Sequence, residues 1–195
     1  MTNSKVNAQV AIADTQRWLE RAVIGLNLCP FAKAVHVKGL IHYTVSDATT
    51  PAELLVDLKC ELNLLANMDL AGVSIAYDTT LLIAPYCLKD FLDFNDYLGK
   101  AEKLLAKMKL EGTIQLANFH PHYQFAGTEP DDITNFTNRA PYPTLHLLRE
   151  SSIDQAVEAF PEAEAIFEVN METMERLGLK GWDALQVGAT LNTTA

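Results

Sequence analysis

Positive charge is scarce in this sequence. Fifteen Lys and Arg residues face 25 Asp and Glu residues, which gives a formal net charge of −10 at pH 7 and a pI of about 4.9. Nucleic-acid binders need a basic face to displace counterions, and anionic membranes attract basic segments. The composition therefore argues against a nucleic-acid partner and against a membrane partner.

Cysteines and long apolar runs are also few. The three cysteines (Cys29, Cys60 and Cys87) are an odd number, and no CxxC pair occurs. No apolar run approaches the ~20 residues of a membrane span. The first twenty residues show no charged region followed by an apolar one, so we expect no signal peptide. These features predict a reduced, cytoplasmic protein.

Familiar nucleotide and hydrolase motifs are missing as well. The sequence contains no GxGxxG, GxxxxGK[ST], GxSxG or HExxH. Nucleotide-dependent chemistry of the common sorts is therefore disfavoured, and no cofactor is predicted.

The hydrophobic pattern predicts a single α/β (or α+β) domain over residues 1–195, with frayed ends at 1–10 and 185–195. Helices are predicted from an Asp14 cap to residue 28, and over 51–68, 88–109 and 161–178. Strands are predicted over 39–45, 80–84, 113–119 and 144–150, the last one antiparallel. This order favours a mixed four- to five-stranded sheet covered by helices. A ferredoxin-like core with added helices is the alternative, since 73–77 and 80–84 could form a hairpin.

The stretch from residue 118 to residue 143 has no regular period, although its neighbours do. It spans 26 residues, and connections beyond about 12–15 residues in a compact domain are mostly functional or disordered. Its five aromatic residues and four prolines favour an ordered loop. It also leaves the carboxyl end of a strand, where open α/β sheets bind ligands. We therefore predict the functional site here.

Three segments resemble a known family: VIGLNLCPFAKAV (23–35), FHPHYQFAG (119–127) and TNRAPYPTLHLLRE (137–150). They are similar to those of an uncharacterised, largely bacterial family, domain-of-unknown-function family 1415. The likeness runs from about Asp14 to Trp182. It implies no activity, substrate or catalytic residue. It does imply that His120 matches the family's histidine, whereas the position of His122 varies.

Acid–base chemistry on a small anionic molecule is the leading hypothesis for the loop. His120 would transfer the proton, because histidine changes charge near neutral pH, and Asp131 or Asp132 would orient it. Arg139 would hold a phosphate or carboxylate with its planar fork. The remaining candidates are Asn118, Asn138 and Tyr142 as substrate contacts, with His146 and Glu150 as supporting residues.

Other interpretations of the same residues stay open. His120, His122 and His146 could hold a divalent metal, but an HxH pair alone is a weak pattern. His120 and His146 could instead bond to carbonyl groups and hold the loop. Arg139 could form an ion pair with Asp131, Asp132 or Glu150.

Two features outside the loop bear on function. Cys29 follows a predicted helix C-terminus, where the dipole disfavours a thiolate, so a buried structural cysteine is favoured over a nucleophile. Residues 16–40 carry four basic residues (Arg17, Arg21, Lys33 and Lys38) against Glu20, a net +3 that could focus an anionic ligand.

The sequence thus predicts either an enzyme acting on a small anionic metabolite, or a non-catalytic binding or protein-interaction domain with an aromatic recognition loop. The sequence sets neither the reaction type nor the oligomeric state.

Overall fold

Four strands form one sheet, which the computed structural model places between two helical layers. The structure describes residues 6–67, 77–158 and 165–190. The strands are β1 (Ile41–Val45), β2 (Thr79–Ile83), β3 (Ile114–Phe119) and β4 (Thr144–Arg149), in the order β1-β2-β4-β3. β1 and β2 are parallel, and β4 is antiparallel to both β2 and β3. The predicted mixed α/β sheet is confirmed. The carboxyl ends of β1, β2 and β3 lie at the edge where β4 begins.

The helices are α1 (Ala8–Trp18), α2 (Ala32–Val37), α3 (Pro51–Asn67), α4 (Phe91–Lys107), α5 (Glu150–Glu158) and α6 (Ile166–Leu185). A π-helical turn, Leu19–Ile24, continues α1, and a 3₁₀ helix, Ile133–Asn138, lies in the long loop. Side-chain caps explain two starts: Asp90 accepts from Leu92 N and Asp93 N before α4, and Glu53 Oε2 accepts from Thr50 N at the start of α3.

The ferredoxin-like alternative is only half realised. β2, α4 and β3 form a split βαβ unit with β4 between the two strands, but β1 pairs directly and in parallel with β2. The hairpin partner considered for β2, residues 73–77, lies outside the described residues except for its last position.

One face of the sheet packs against α3 and α4. Four leucines of α3 and four residues of α4 recur every three or four positions and are buried there: Leu54, Leu58, Leu62, Leu65, Phe94, Tyr97, Ala101 and Leu105. They meet Leu145 and Leu147 of β4, which share a face with Ile114 and Leu116 as predicted.

The opposite face packs against α1 and the π-helical turn. Trp18, 2% exposed, meets the ring of Phe119 edge-on at 5.0 Å. Ala22 and Val23 are buried beside it, with Tyr43 of β1 packed against them. Burial on both faces positions the sheet edge from which the long loop leaves.

The N-terminal helix differs from the prediction. It begins at Ala8, where Asn7 caps it by accepting from Gln9 N, so residues 8–10 are helical although fraying was expected. Asp14 is therefore not a cap: it lies mid-helix and is 1% exposed. The sequence placed Asp14 at a helix cap, but tertiary contacts hold its carboxylate inside the fold instead.

The C-terminal region also differs. α6 runs past Gly178, whose positive φ of 65° interrupts it, and ends at Leu185. The short helices α2 and α5 were not predicted.

Candidate functional site

The predicted loop joins β3 to β4 at the edge of the sheet where the carboxyl ends of β1, β2 and β3 lie. Its two ends meet as expected, since Phe119 pairs with Thr144 and His120 N donates to Asn138 O at 3.2 Å. Within the loop Asn135, fully buried, accepts from Phe125 N through Oδ1 at 2.9 Å and donates to Glu129 O at 2.8 Å. The loop is thus fixed from inside by one amide side chain.

His120 is fully buried, and both ring nitrogens contact the main chain. Nδ1 accepts from His122 N at 3.0 Å, which places the proton on Nε2, 3.1 Å from Leu88 O. The rings of Phe91 and Phe94 pack against it, with centroids at 5.5 and 5.1 Å. Burial lowers the pKa of His120 to about 4. The imidazole is therefore neutral near pH 7 and ties the loop to the turn before α4.

Arg139 is directed into its own loop. Nε donates to Tyr123 O at 3.2 Å, Nη2 donates to Pro130 O at 2.5 Å, and Cζ lies 4.0 Å above the Phe136 ring. Its partners are carbonyl oxygens and an aromatic face, where an ion pair with a carboxylate was one expectation. The guanidinium group thus links two parts of the loop, at Tyr123 and at Pro130.

The two loop aspartates lie apart from His120. Asp131 is exposed. Asp132 caps the 3₁₀ helix: Oδ1 accepts from Thr134 N at 2.9 Å and Oγ1 at 2.7 Å, and the Thr134 N–H lowers the pKa of this carboxyl. Within the described residues, neither aspartate contacts the imidazole, so the predicted orienting pair is not assembled here.

The remaining predicted substrate contacts are Asn118, Asn138 and Tyr142. Asn118, partly buried, is the penultimate residue of β3, and Asn138 Oδ1 accepts from Thr137 Oγ1 at 3.2 Å. Tyr142 points the other way, toward α1, where its hydroxyl donates to Asp14 Oδ2 at 2.7 Å. Burial and this bond raise the pKa of Tyr142.

Of the two predicted supporting residues, His146 lies in β4 and Glu150 directly follows this strand. His146 Nε2 lies 2.7 Å from Thr79 Oγ1, which itself donates to Leu147 O at 2.7 Å, so the imidazole is the donor. Burial lowers the pKa of His146 to about 4. Glu150 starts α5, and its main-chain N–H donates to Thr113 O.

The candidate metal ligands do not converge within the described residues. Across residues 6–67, 77–158 and 165–190, no three His, Cys, Asp or Glu side chains are placed to hold one ion.

Cys29 precedes α2, a placement that the sequence did not predict. Burial nevertheless raises the pKa of its thiol, and hydrogen bonds from Phe31 N and Ala32 N oppose this only in part.

A carboxylate network lies on the other side of Tyr142, and the sequence did not predict it. Asp14 Oδ1 accepts from Arg17 Nη2 at 2.6 Å and Thr190 Oγ1 at 2.5 Å, and Oδ2 accepts from Tyr142 and from Thr190 N at 2.7 Å. Burial by itself raises the pKa of Asp14, but the bonds from Thr190, Tyr142 and Arg17 together outweigh it, so the pKa lies below its ordinary value.

An open cleft of about 500 Å³ adjoins this network, lined by Arg17, Arg21, Gln186, Gly188, Ala189 and Thr190. Arg17 Nε donates to Gln186 O at 2.9 Å and its Nη2 to Gly188 O at 3.0 Å. Arg21 is exposed, and its Nη1 donates to Leu185 O at 3.0 Å. We call this the arginine cleft. Both arginines belong to the basic region at residues 16–40, whereas the functional site was predicted in the loop at 118–143.

The π-helical turn sets the position of Arg21. Gly25 N donates to Glu20 O at 3.0 Å, five residues back, which defines the wider turn. A Cβ at Gly25 would lie 2.3 Å from Arg21 O, so only glycine permits this approach. Single π turns inside α-helices occur frequently at functional sites.

None of the helices in the described ranges combines the length and apolarity that crossing a bilayer requires.

The profile of a family described as "Protein of unknown function (DUF1415)" matches residues 10–184. No curated protein and no solved structure matches the sequence. The chain belongs to this family, whose description assigns no activity.

Proposed function

We propose that this member of the DUF1415 family binds a small molecule carrying a phosphate or carboxylate group in the arginine cleft. The observation that supports the proposal is the pair of guanidinium groups that line one open cleft of about 500 Å³. That size lies within the range of small-molecule sites.

The local charge balance favours an anion. Asp14 is paired with Arg17 at 2.6 Å and buried. Arg21 is the second positive charge, and within the described part of the chain no carboxylate lies within 4 Å of it. The lining therefore keeps one positive charge that a ligand can neutralise, on a protein whose overall charge is −10.

Unused donors remain on both arginines. Arg17 uses Nε and Nη2, and Arg21 uses Nη1. This leaves Arg17 Nη1 and Arg21 Nε and Nη2 without an acceptor among the described residues. A guanidinium fork with two adjacent free nitrogens binds a carboxylate or phosphate through two parallel hydrogen bonds.

Binding, and not proton transfer, is the function that this geometry supports. The acid–base hypothesis for the loop needs a free nitrogen on His120 beside a ligand, and both nitrogens contact the main chain. Catalysis by His120 with Asp131 or Asp132 therefore stays a hypothesis without geometric support, whereas the anionic ligand class is retained.

A thermal-shift titration with inorganic phosphate and citrate at constant ionic strength tests the proposal. A ligand at about one hundred times its dissociation constant adds about 2.7 kcal/mol, which raises the Tm of a domain this size by several degrees. We expect Arg21→Gln to abolish the rise. Arg176→Gln, an exposed arginine of α6, is the matched control and keeps it. An equal rise in wild type and Arg21→Gln would refute the proposal.

A further inference from the structure

A row of aromatic rings runs from the core to the surface along the long loop. The Phe91 and Tyr123 centroids lie 5.1 Å apart, those of Tyr123 and Phe125 5.0 Å, and those of Phe125 and Phe167 6.1 Å. The inner end contacts buried His120, and the outer end, Phe167 of α6, is 58% exposed. We call Phe91, Tyr123, Phe125 and Phe167 the aromatic ridge.

Core packing does not account for the outer end of the ridge. α6 is anchored by Met174, which is fully buried, whereas Phe167 is 58% exposed. Contiguous exposed apolar side chains on a soluble surface mark interaction sites, while single ones do not. Phe91, Tyr123 and Phe125 are partly exposed and each ring contacts the next, so the exposed Phe167 is the end of a continuous, partly exposed apolar surface.

The backbone beneath the ridge is held in place. Asn135 bonds to Phe125 N and Glu129 O, and Arg139 bonds to Tyr123 O. A partner therefore binds a surface that is already ordered, and association loses little loop entropy.

The charges flanking the ridge are almost all negative. Among the described residues near these rings in sequence, one exposed lysine, Lys89, stands against five exposed acids: Asp90, Asp93, Glu129, Asp131 and Glu168. Arg139, the other nearby cation, is occupied by loop carbonyls and Phe136. A partner that covers the ridge must bring positive charge to match this rim.

We propose that the aromatic ridge docks a basic, partly apolar segment of another protein. Arginine or lysine side chains of the segment stack on the exposed ring faces and pair with the rim carboxylates. Its apolar side chains cover Phe125 and Phe167. This surface is separate from the arginine cleft, and the inference does not depend on an anionic ligand.

Fluorescence anisotropy with a labelled amphipathic peptide, arginine on one face and leucine on the other, tests the proposal on the full chain. We expect saturable binding that weakens about tenfold in Phe167→Ser and several-fold in Glu168→Gln. Both positions are exposed, so folding is preserved. The matched control is Glu102→Gln with Glu111→Gln, two exposed acids away from the ridge, which leaves binding unchanged.

Three results would overturn the inference. Absence of binding would remove the docking function. Equal weakening in the control variant would show attraction to net charge alone. Concentration-dependent dimers in light scattering that Phe167→Ser dissociates would show that a second copy of this chain covers the ridge.

Discussion

The long loop and the arginine cleft both use guanidinium groups to hold main-chain carbonyls, but they differ in what remains available to a ligand. In the loop, Arg139 bonds to Tyr123 O and Pro130 O and lies against Phe136. In the cleft, Arg21 spends one nitrogen on Leu185 O and faces solvent. Residue types suited to catalysis therefore fix the loop, whereas the cleft keeps a guanidinium group that faces solvent.

The largest effect is expected on the cleft side, from Asp14→Ala. The change leaves Arg17 and the buried Tyr142 hydroxyl without their acceptor, and breaking a buried charge pair destabilises by about 4 kcal/mol. Urea unfolding measures it. Asp93→Ala, an exposed acid of α4, is the control. A loss below about 1 kcal/mol would mean that Asp14 does not organise this region.

The pH dependence of stability separates the two regions. The folded-state pKa of His120 is about 4, below its ordinary 6.5, so between these values only the unfolded chain binds the proton. Stability is full above about pH 6.5 and falls by on the order of 3 kcal/mol toward pH 4. His146 titrates in the same window, so His120→Gln is needed to isolate one term. A slope unchanged in that variant would contradict the burial of His120.

Asp14 affects the stability of the fold at lower pH than His120 does. Its folded pKa lies below the ordinary 3.8, so its stabilisation is present above that value and is lost only as the pH falls through the lower folded pKa. The hydrogen bonds from Thr190 to Asp14 should therefore persist at pH 4.5, where the loss of stability that comes from His120 has already begun.

One arginine variant in each region tests the comparison, and the larger of the two expected changes in stability is of intermediate size. Arg139→Ala removes two hydrogen bonds and the contact with Phe136, and we expect a loss of about 2 kcal/mol with faster amide exchange in residues 120–139. Arg21→Gln should change stability by less than about 0.5 kcal/mol yet abolish phosphate binding. The opposite pattern would exchange the roles of the two regions.

The smallest effect is expected from His122→Ala. Its side chain is exposed, and its main-chain N–H donates to His120 Nδ1, while the two ring centroids lie 5.9 Å apart. Stability should stay within about 0.5 kcal/mol of wild type. A large loss would show that the imidazole itself supports the loop, and the same urea series measures it.

Much of the fold was predictable because it rests on periodic burial. The leucines of α3 and the alternation in β4 give the buried faces of these elements. Asp14 was misassigned because a carboxylate at a cap and one in a buried network look alike in sequence. The start of α1 at Ala8 follows a local signal, the Asn7 cap, which was passed over in favour of Asp14. The π turn at Gly25 was not predicted.

The site was less predictable for a related reason. Sequence shows which loop residues carry donors, but not that carbonyls of Leu88, Tyr123 and Pro130 take them up. The arginine cleft needs Arg17 and Arg21 to meet residues 186–190, a separation of about 170 positions, and only the excess of basic residues in 16–40 hinted at it.

The most direct test of the central claim compares both regions in one sample. Arginine Nε–Hε signals would be followed by NMR during a titration with inorganic phosphate at constant ionic strength, with Arg21→Gln and Arg139→Lys used for assignment. The account predicts saturable shifts for Arg17 and Arg21 and an unmoved Arg139. A saturable shift of Arg139 with Arg21 unmoved would contradict it.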